Sequence, residues 1–199
     1  MVVPTGGSLG SWETKTIVSN MFPLLVVLSI IVLFAGLVLE SAEENLEEFA
    51  LLAVMVPTMV DMGGNLGAIL SSRLSTRLHL GTTDFDPRDT VLWANIAAIF
   101  ALAATIFTAL AVGAWLIGGV IGAEIALGDL LLISLSSGLS LAVVAVVFSI
   151  GATYGSYRLG IDPDDTTIPI VTNIVDVFGM VIFITVSGLV LGFPTPIPI

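Results

Sequence analysis

The stretch Ile168–Leu191, IPIVTNIVDVFGMVIFITVSGLVL, decides how this chain is read. It is long and apolar enough to cross the roughly 30 Å hydrocarbon core of a bilayer as a helix, yet it holds one charge, Asp176. A carboxylate at that depth costs about 2.5–3.5 kcal/mol on insertion scales, so it persists where it meets a cation, a proton or water. Thr172 and Asn173 lie four and three residues before it and share its side of the helix. Asp176, Thr172 and Asn173 are therefore candidate ion ligands. The competing reading of Asp176 is a structural bond to a neighbouring helix.

The rest of the chain has the same character. Of 199 residues, 56% are hydrophobic and 11% charged, with a mean hydropathy of +1.11; soluble domains carry about 25% charged residues. This is the composition of an integral membrane protein, and the apolar runs predict an all-α one. Cysteine is absent, which excludes disulfides and thiolate metal sites. Sixteen acids against five bases give a net charge of −11, a surface that repels nucleic acid and attracts cations.

Polar breaks divide the chain into five apolar segments: Met21–Leu39, Leu46–Leu78, Leu92–Ile121, Leu130–Tyr157 and Ile168–Leu191. They predict one five-helix membrane domain over residues 21–193, preceded by a cytoplasmic segment 1–20 and followed by an external tail 194–199. Basic residues favour the cytoplasmic side. With the N-terminus inside, Lys15, Arg73, Arg77, Arg88 and Arg158 all fall at cytoplasmic ends. The expectation is a multi-pass plasma-membrane protein. Trp12, Glu13 and Lys15 either begin a short interfacial helix or lie in a disordered tail.

The second segment is less regular. It contains Pro57, Asp61, Gly63, Gly64, Asn65 and Gly67, and the expectation is a helix broken at Gly63–Gly64. Irregular backbone at that depth is tolerated where it lines a cavity, and interrupted helices recur at ion sites. The alternative is that the glycines let another helix approach. Asp61 and Asn65 are four apart and share a face, so both join the candidate metal ligands, with Pro57 and Gly64 as pore-lining positions. Against this, Asp61 is open to a structural bond with Arg73, Asn95 or a backbone amide, and Asn65 to a capping role.

Ahead of the fifth segment, Arg158–Asp176 reads RLGIDPDDTTIPIVTNIVD. Asp162-Pro163 is a turn signal and helix starter. Asp162, Asp164 and Asp165 form a candidate cytoplasmic entrance, where they offset the positive end of the helix dipole; ordinary capping in a solvated loop is the other reading. Pro169 is a further pore-lining candidate.

These residues resemble a known family. GIDPDDTTIPIVTNIVDVFG is similar to the last transmembrane helix of MgtE-type magnesium channels, in Asp162-Pro163, Pro169, Val171-Thr172, Asp176 and Gly179. VPTMVDMGGNLGAILSSRLST resembles the second helix of the related solute carrier family forty-one, in Gly64-Asn65-Leu66 and Ser72–Thr76. The resemblance implies transport of Mg2+ through a homodimer whose second and fifth helices line a central pore. It makes Asp176 the main intramembrane magnesium site, Gly64 and Asn65 pore-helix elements, and the Thr172 carbonyl a lesser ligand. Val175 and Ile69 depart from the asparagine and glutamine that MgtE proteins often show, which bears on ion selectivity. About 20 residues precede the first segment, so the family's sensor domains are expected to be absent. The chain also corresponds to half of a double-length carrier, so a hetero-dimer with a sibling half stands beside the homodimer.

Other patterns carry less. Met55, Met59 and Met62 lie at helical spacing and suit packing better than a copper(I) site. His79 is the sole histidine and is expected at an interface. An intramembrane aspartyl protease using Asp61 and Asp176 would want a GxGD motif, which Asn173-Ile174-Val175 does not supply. A non-transporting subunit is the remaining alternative. The chain is not expected to be an enzyme.

Overall fold

The computed structural model describes residues 14–82, 88–123 and 125–195, and among these every regular element is helical. Trp12, Glu13 and parts of the two flanking segments lie outside the described residues. Six helices follow in order: α1 Thr14–Glu40, α2 Glu43–Glu48, α3 Ala50–His79, α4 Thr90–Ile121, α5 Leu127–Arg158 and α6 Pro163–Leu191. All but α2 are long and apolar enough to cross a bilayer, so the count of five spans stands.

Two boundaries differ from expectation. The second span begins at Ala50 rather than Leu46, because the glutamates of EENLEE form the separate turn α2 and the chain bends at Phe49 (φ −110°, ψ 66°) before α3 starts. The fourth connection is shorter than the sequence suggested. Asp162 is the N-cap of α6, its Oδ1 accepting from the Asp164 N–H at 3.0 Å, and Pro163 occupies the first helical position, where proline's missing donor is harmless. Asp164 and Asp165 thus sit in the first turn of a helix.

A third expectation is corrected. Helix α3 runs unbroken through Gly63–Gly64, and Pro57 lies within it. The physical reason is packing. Gly63 faces Leu141 of α5 so closely that a β-carbon would overlap its side chain, and Val175 of α6 lies 3.0 Å from the same point. At Gly67 a β-carbon would stand 2.5 Å from Val171 Cγ1. The glycines let neighbouring helices close in, and these contacts hold the helix that the glycines weaken.

Helix α6 packs against α5, α3 and α1; α3 also packs on α5 and α4, and α4 on α5. The main core joins Leu51, Leu52, Met55, Met59, Leu66 and Leu70 of α3 to Phe107 of α4 and Phe183 of α6. Met55 and Met59 are fully buried there, so the methionine stripe is packing. Phe107 fills the notch at Gly138, and Ser134 Oγ donates to the Phe107 carbonyl at 2.7 Å. By contrast α1 exposes Phe22, Leu25, Leu33, Phe34 and Leu37, side chains suited to lipid.

Candidate functional site

The α3 and α6 helices run antiparallel and meet at their middles. Gly64 and Asp176 each lie within one residue of the midpoint of their helix. A β-carbon on Gly64 would stand 3.6 Å from Asp176 Oδ1 and 3.8 Å from Thr172 Cβ and Cγ2. Those are ordinary contact distances, so Gly64 lies directly opposite the Asp176 carboxylate and Thr172 across the α3–α6 seam. Gly64 is buried beneath this contact, while Asp176, Thr172, Asn173 and Pro169 are partly exposed.

Asp61 and Asn65 share a helix face, Asp61 about one turn before Gly64 and Asn65 immediately after it. Asn65 Nδ2 donates to Asp61 Oδ2 at 3.0 Å, and both residues are exposed. Asp61 is close enough to Asp176 for the two carboxylates to interact. Of the bonds considered for Asp61, that to Arg73 is not formed: Arg73 Nη1 donates instead to Asn95 Oδ1 at 2.9 Å, tying α3 to α4. Asp61 and Asp176 thus converge at mid-span, and among the described residues neither forms an ion pair with a basic side chain.

On α6 the neighbouring polar groups turn their donors away. Thr172 Oγ1 donates to the Ile168 and Pro169 carbonyls at 3.0 and 3.2 Å, and Asn173 Nδ2 to the Pro169 carbonyl at 2.8 Å. These bonds brace the helix around Pro169 and leave the lone pairs of Thr172 Oγ1 and Asn173 Oδ1 as acceptors. The Thr172 carbonyl lies inside a regular stretch of α6, where the N–H four residues on claims it.

Three of the expected residues lie elsewhere. Pro57 is two turns from Gly64 and lines an apolar crevice of about 620 Å³ with Leu39, Val56 and Met180, rimmed by Glu40 and Glu43. Asp162 and Asp164 face the far end of α3, where His79 stands beside them. That pairing was not read from the sequence, although a signal existed. His79 follows Gly64 by fifteen residues and Asp162 precedes Asp176 by fourteen, so antiparallel helices that touch at Gly64 and Asp176 must bring those ends together.

The end of α3 is also fastened to α4. Arg77 Nη2 approaches Asp89 Oδ2 to 2.7 Å, and Asp89 caps α4 by accepting from the Val91 N–H at 2.8 Å. The Arg77 guanidinium holds the Asp89 carboxyl below the ordinary carboxylate range, with the Val91 and Leu92 N–H groups adding to the effect and desolvation opposing it.

Comparison with known proteins points the same way. Solute carrier family 41 member 2 of Homo sapiens is 28% identical over 159 residues, covering 77% of this chain and 28% of that protein. Solute carrier family 41 member 3 of Rattus norvegicus is 28% identical over 141 residues, 69% of this chain and 30% of its own length. The Mus musculus member 3 is 44% identical over 62 residues, 31% of this chain and 12% of that protein. The chain spans less than a third of the length of these relatives. No solved structure matches it with significance. The MgtE family, described as divalent cation transporter, matches residues 56–186, and on that match, which takes in both Gly64 and Asp176, the chain belongs to the MgtE family of divalent cation transporters.

Proposed function

We propose that this chain carries divalent cations, magnesium foremost, across a bilayer along a path lined by α3 and α6, with two copies of the chain placing their Asp176 carboxylates on one shared path. The observation that carries this reading is the polar face at mid-span. Asp61 and Asn65 are exposed on a single chain and Asp176 is half-buried beside them, a costly arrangement against acyl chains. A second protomer and the water between the two would remove that cost. Oxygen atoms dominate the face, which suits a hard cation, and magnesium keeps much of its hydration shell when held by one or two carboxylates. Asp176 is the central ligand, with Asp61 and Asn65 flanking it and Thr172 and Asn173 offering further oxygen. The reading makes the chain a transporter and not an enzyme.

The orientation follows the same reading. Lys15, Arg73, Arg77, Arg88 and Arg158 belong to one end of the bundle, and because basic residues favour the cytoplasmic side, this supports a cytoplasmic N-terminus and α6 entrance, with the C-terminus outside the plasma membrane.

The test is magnesium flux into proteoliposomes containing the purified chain. Wild type should conduct and Asp176→Asn should fall to the level of empty vesicles, with both proteins eluting as dimers. Unchanged flux in Asp176→Asn would remove this residue from the mechanism. Flux that arises only when a second, different half-protein is co-reconstituted would replace the homodimer by a hetero-dimer.

A further inference from the structure

The C-terminal end of α3 and the N-terminal end of α6 meet away from the mid-span layer. There the imidazole of His79 stands between two carboxylates, with Nε2 3.6 Å from Asp162 Oδ1 and Nδ1 3.8 Å from Asp164 Oδ2. One ligand atom from each of the three residues lies within 4.8 Å of the others. Donor atoms about 2.1 Å from a shared ion are separated by roughly 3–4.2 Å; Asp162 Oδ1 is already at that distance from Nε2, and rotation of the exposed Asp164 carboxylate, whose Oδ2 lies beside Nδ1, brings it onto the same metal. The side chains are 49%, 51% and 59% exposed, so ions reach them directly from solution.

The histidine is what distinguishes this cluster from an acidic helix cap. His79 Nδ1 lies 3.0 Å from the Ser75 carbonyl one turn back on α3, and an N–H donated there leaves the lone pair of the neutral ring on Nε2. That lone pair faces Asp162 Oδ1, acceptor against acceptor, which a cation between them resolves. Asp162 Oδ1 also accepts from the Asp164 N–H at 3.0 Å, a bond that fixes the carboxylate's direction and leaves its second oxygen unconstrained by that contact. The carbonyl end of α3 favours a cation, while Asp162 and Asp164 offset the opposing positive end of α6.

An imidazole nitrogen with two carboxylates is a mixed donor set, suited to zinc, manganese or cobalt(II) rather than to the all-oxygen coordination that magnesium takes. We propose that His79, Asp162 and Asp164 form a binding site for a divalent transition metal that clasps the end of α3 to the start of α6. It is separate from the mid-span carboxylate. Asp162 and Asp176 are fourteen residues apart on one helix, about 21 Å at 1.5 Å per residue. The site therefore stands whether or not Asp176 binds the transported ion.

Because His79 is the sole histidine, every histidine signal from the chain reports this site, provided the protein is purified without a histidine tag. The experiment is a Co2+ titration of the full chain carrying Asp176→Asn, followed by calorimetry and by proton NMR of the imidazole ring. The expected result is saturable binding of one Co2+ per chain with paramagnetically shifted His79 ring protons. His79→Gln should abolish the shifted signals and weaken binding at least about tenfold, a ligand counting for no less than the partners that merely orient one; Asp164→Asn should weaken binding while keeping the ring protons responsive. Unshifted ring protons at saturation, or equal affinity in His79→Gln, would overturn the proposal and leave His79 as a purely proton-dependent partner of the two acids.

Discussion

Replacing Gly67 by alanine tests the contact that sets the spacing of α3 and α6. A β-carbon at position 67 stands 2.5 Å from Val171 Cγ1, 3.7 Å from Ala145 Cβ and 3.8 Å from Ser149 Oγ. Carbon atoms rest about 3.5–4.0 Å apart, so the first contact is short by about 1 Å and the other two are ordinary. Val171 is fully buried, and a β-branched side chain in a helix has essentially one χ1 rotamer. It cannot swing aside, so α6 must move off α3. Overpacking of this kind costs about 1–3 kcal/mol. The movement also strains the bond from Ser149 Oγ to the Gly67 carbonyl (3.0 Å), worth about 1 kcal/mol, which cancels the gain of about 1 kcal/mol in helix propensity. A net loss of about 1–3 kcal/mol is expected for Gly67→Ala. Combining it with Val171→Ala removes the colliding methyl, so the pair should be less damaging than the sum of the single changes, with a coupling of at least about 0.5 kcal/mol. The assay is reversible unfolding in mixed micelles, followed by circular dichroism on all four proteins. Wild-type stability in Gly67→Ala, or strict additivity with Val171→Ala, would refute the packing described here.

Gly64→Ala should behave differently, because its new methyl would make only ordinary contacts, 3.6 Å from Asp176 Oδ1. Stability should stay within about 1 kcal/mol of wild type, while magnesium flux in proteoliposomes falls, since the methyl occupies the space on the α3 side of the carboxylate; unchanged flux would mean that this side does not serve the ion. Acid sensitivity has a separate origin at Asp89, whose carboxyl is held below the ordinary range by Arg77. That contribution is complete above the ordinary carboxylate range and is lost as pH falls through the lower folded value. Asp89→Asn keeps an acceptor for the Val91 N–H but not the charge, so the difference in melting temperature from wild type should shrink as pH is lowered through that window; a pH-independent difference would exclude the Arg77 pair as its source.

The contrast between Asp176 and Gly63–Gly64 shows how far local chemistry reaches. A charge inside an apolar run is costly whatever surrounds it, so Asp176 stood out as a candidate site before any neighbour was known. A glycine pair has no such single meaning, since a break and a close helix contact begin from the same residues. Leu141 and Val175, far away in sequence, decide between them. Arg73 makes the same point from the other side, since only its position beside Asn95 shows that it does not neutralise Asp61.

The chain's own sequence determined the number of spans, the all-helical class and the carboxylate at mid-span, because length, apolarity and desolvation act on each segment separately. The tertiary structure decided that α3 stays continuous, that Gly64 lies opposite Asp176, and that His79 reaches Asp162 and Asp164. Those outcomes depend on the register between helices distant in sequence, and register is set by which side chains fill the space between them.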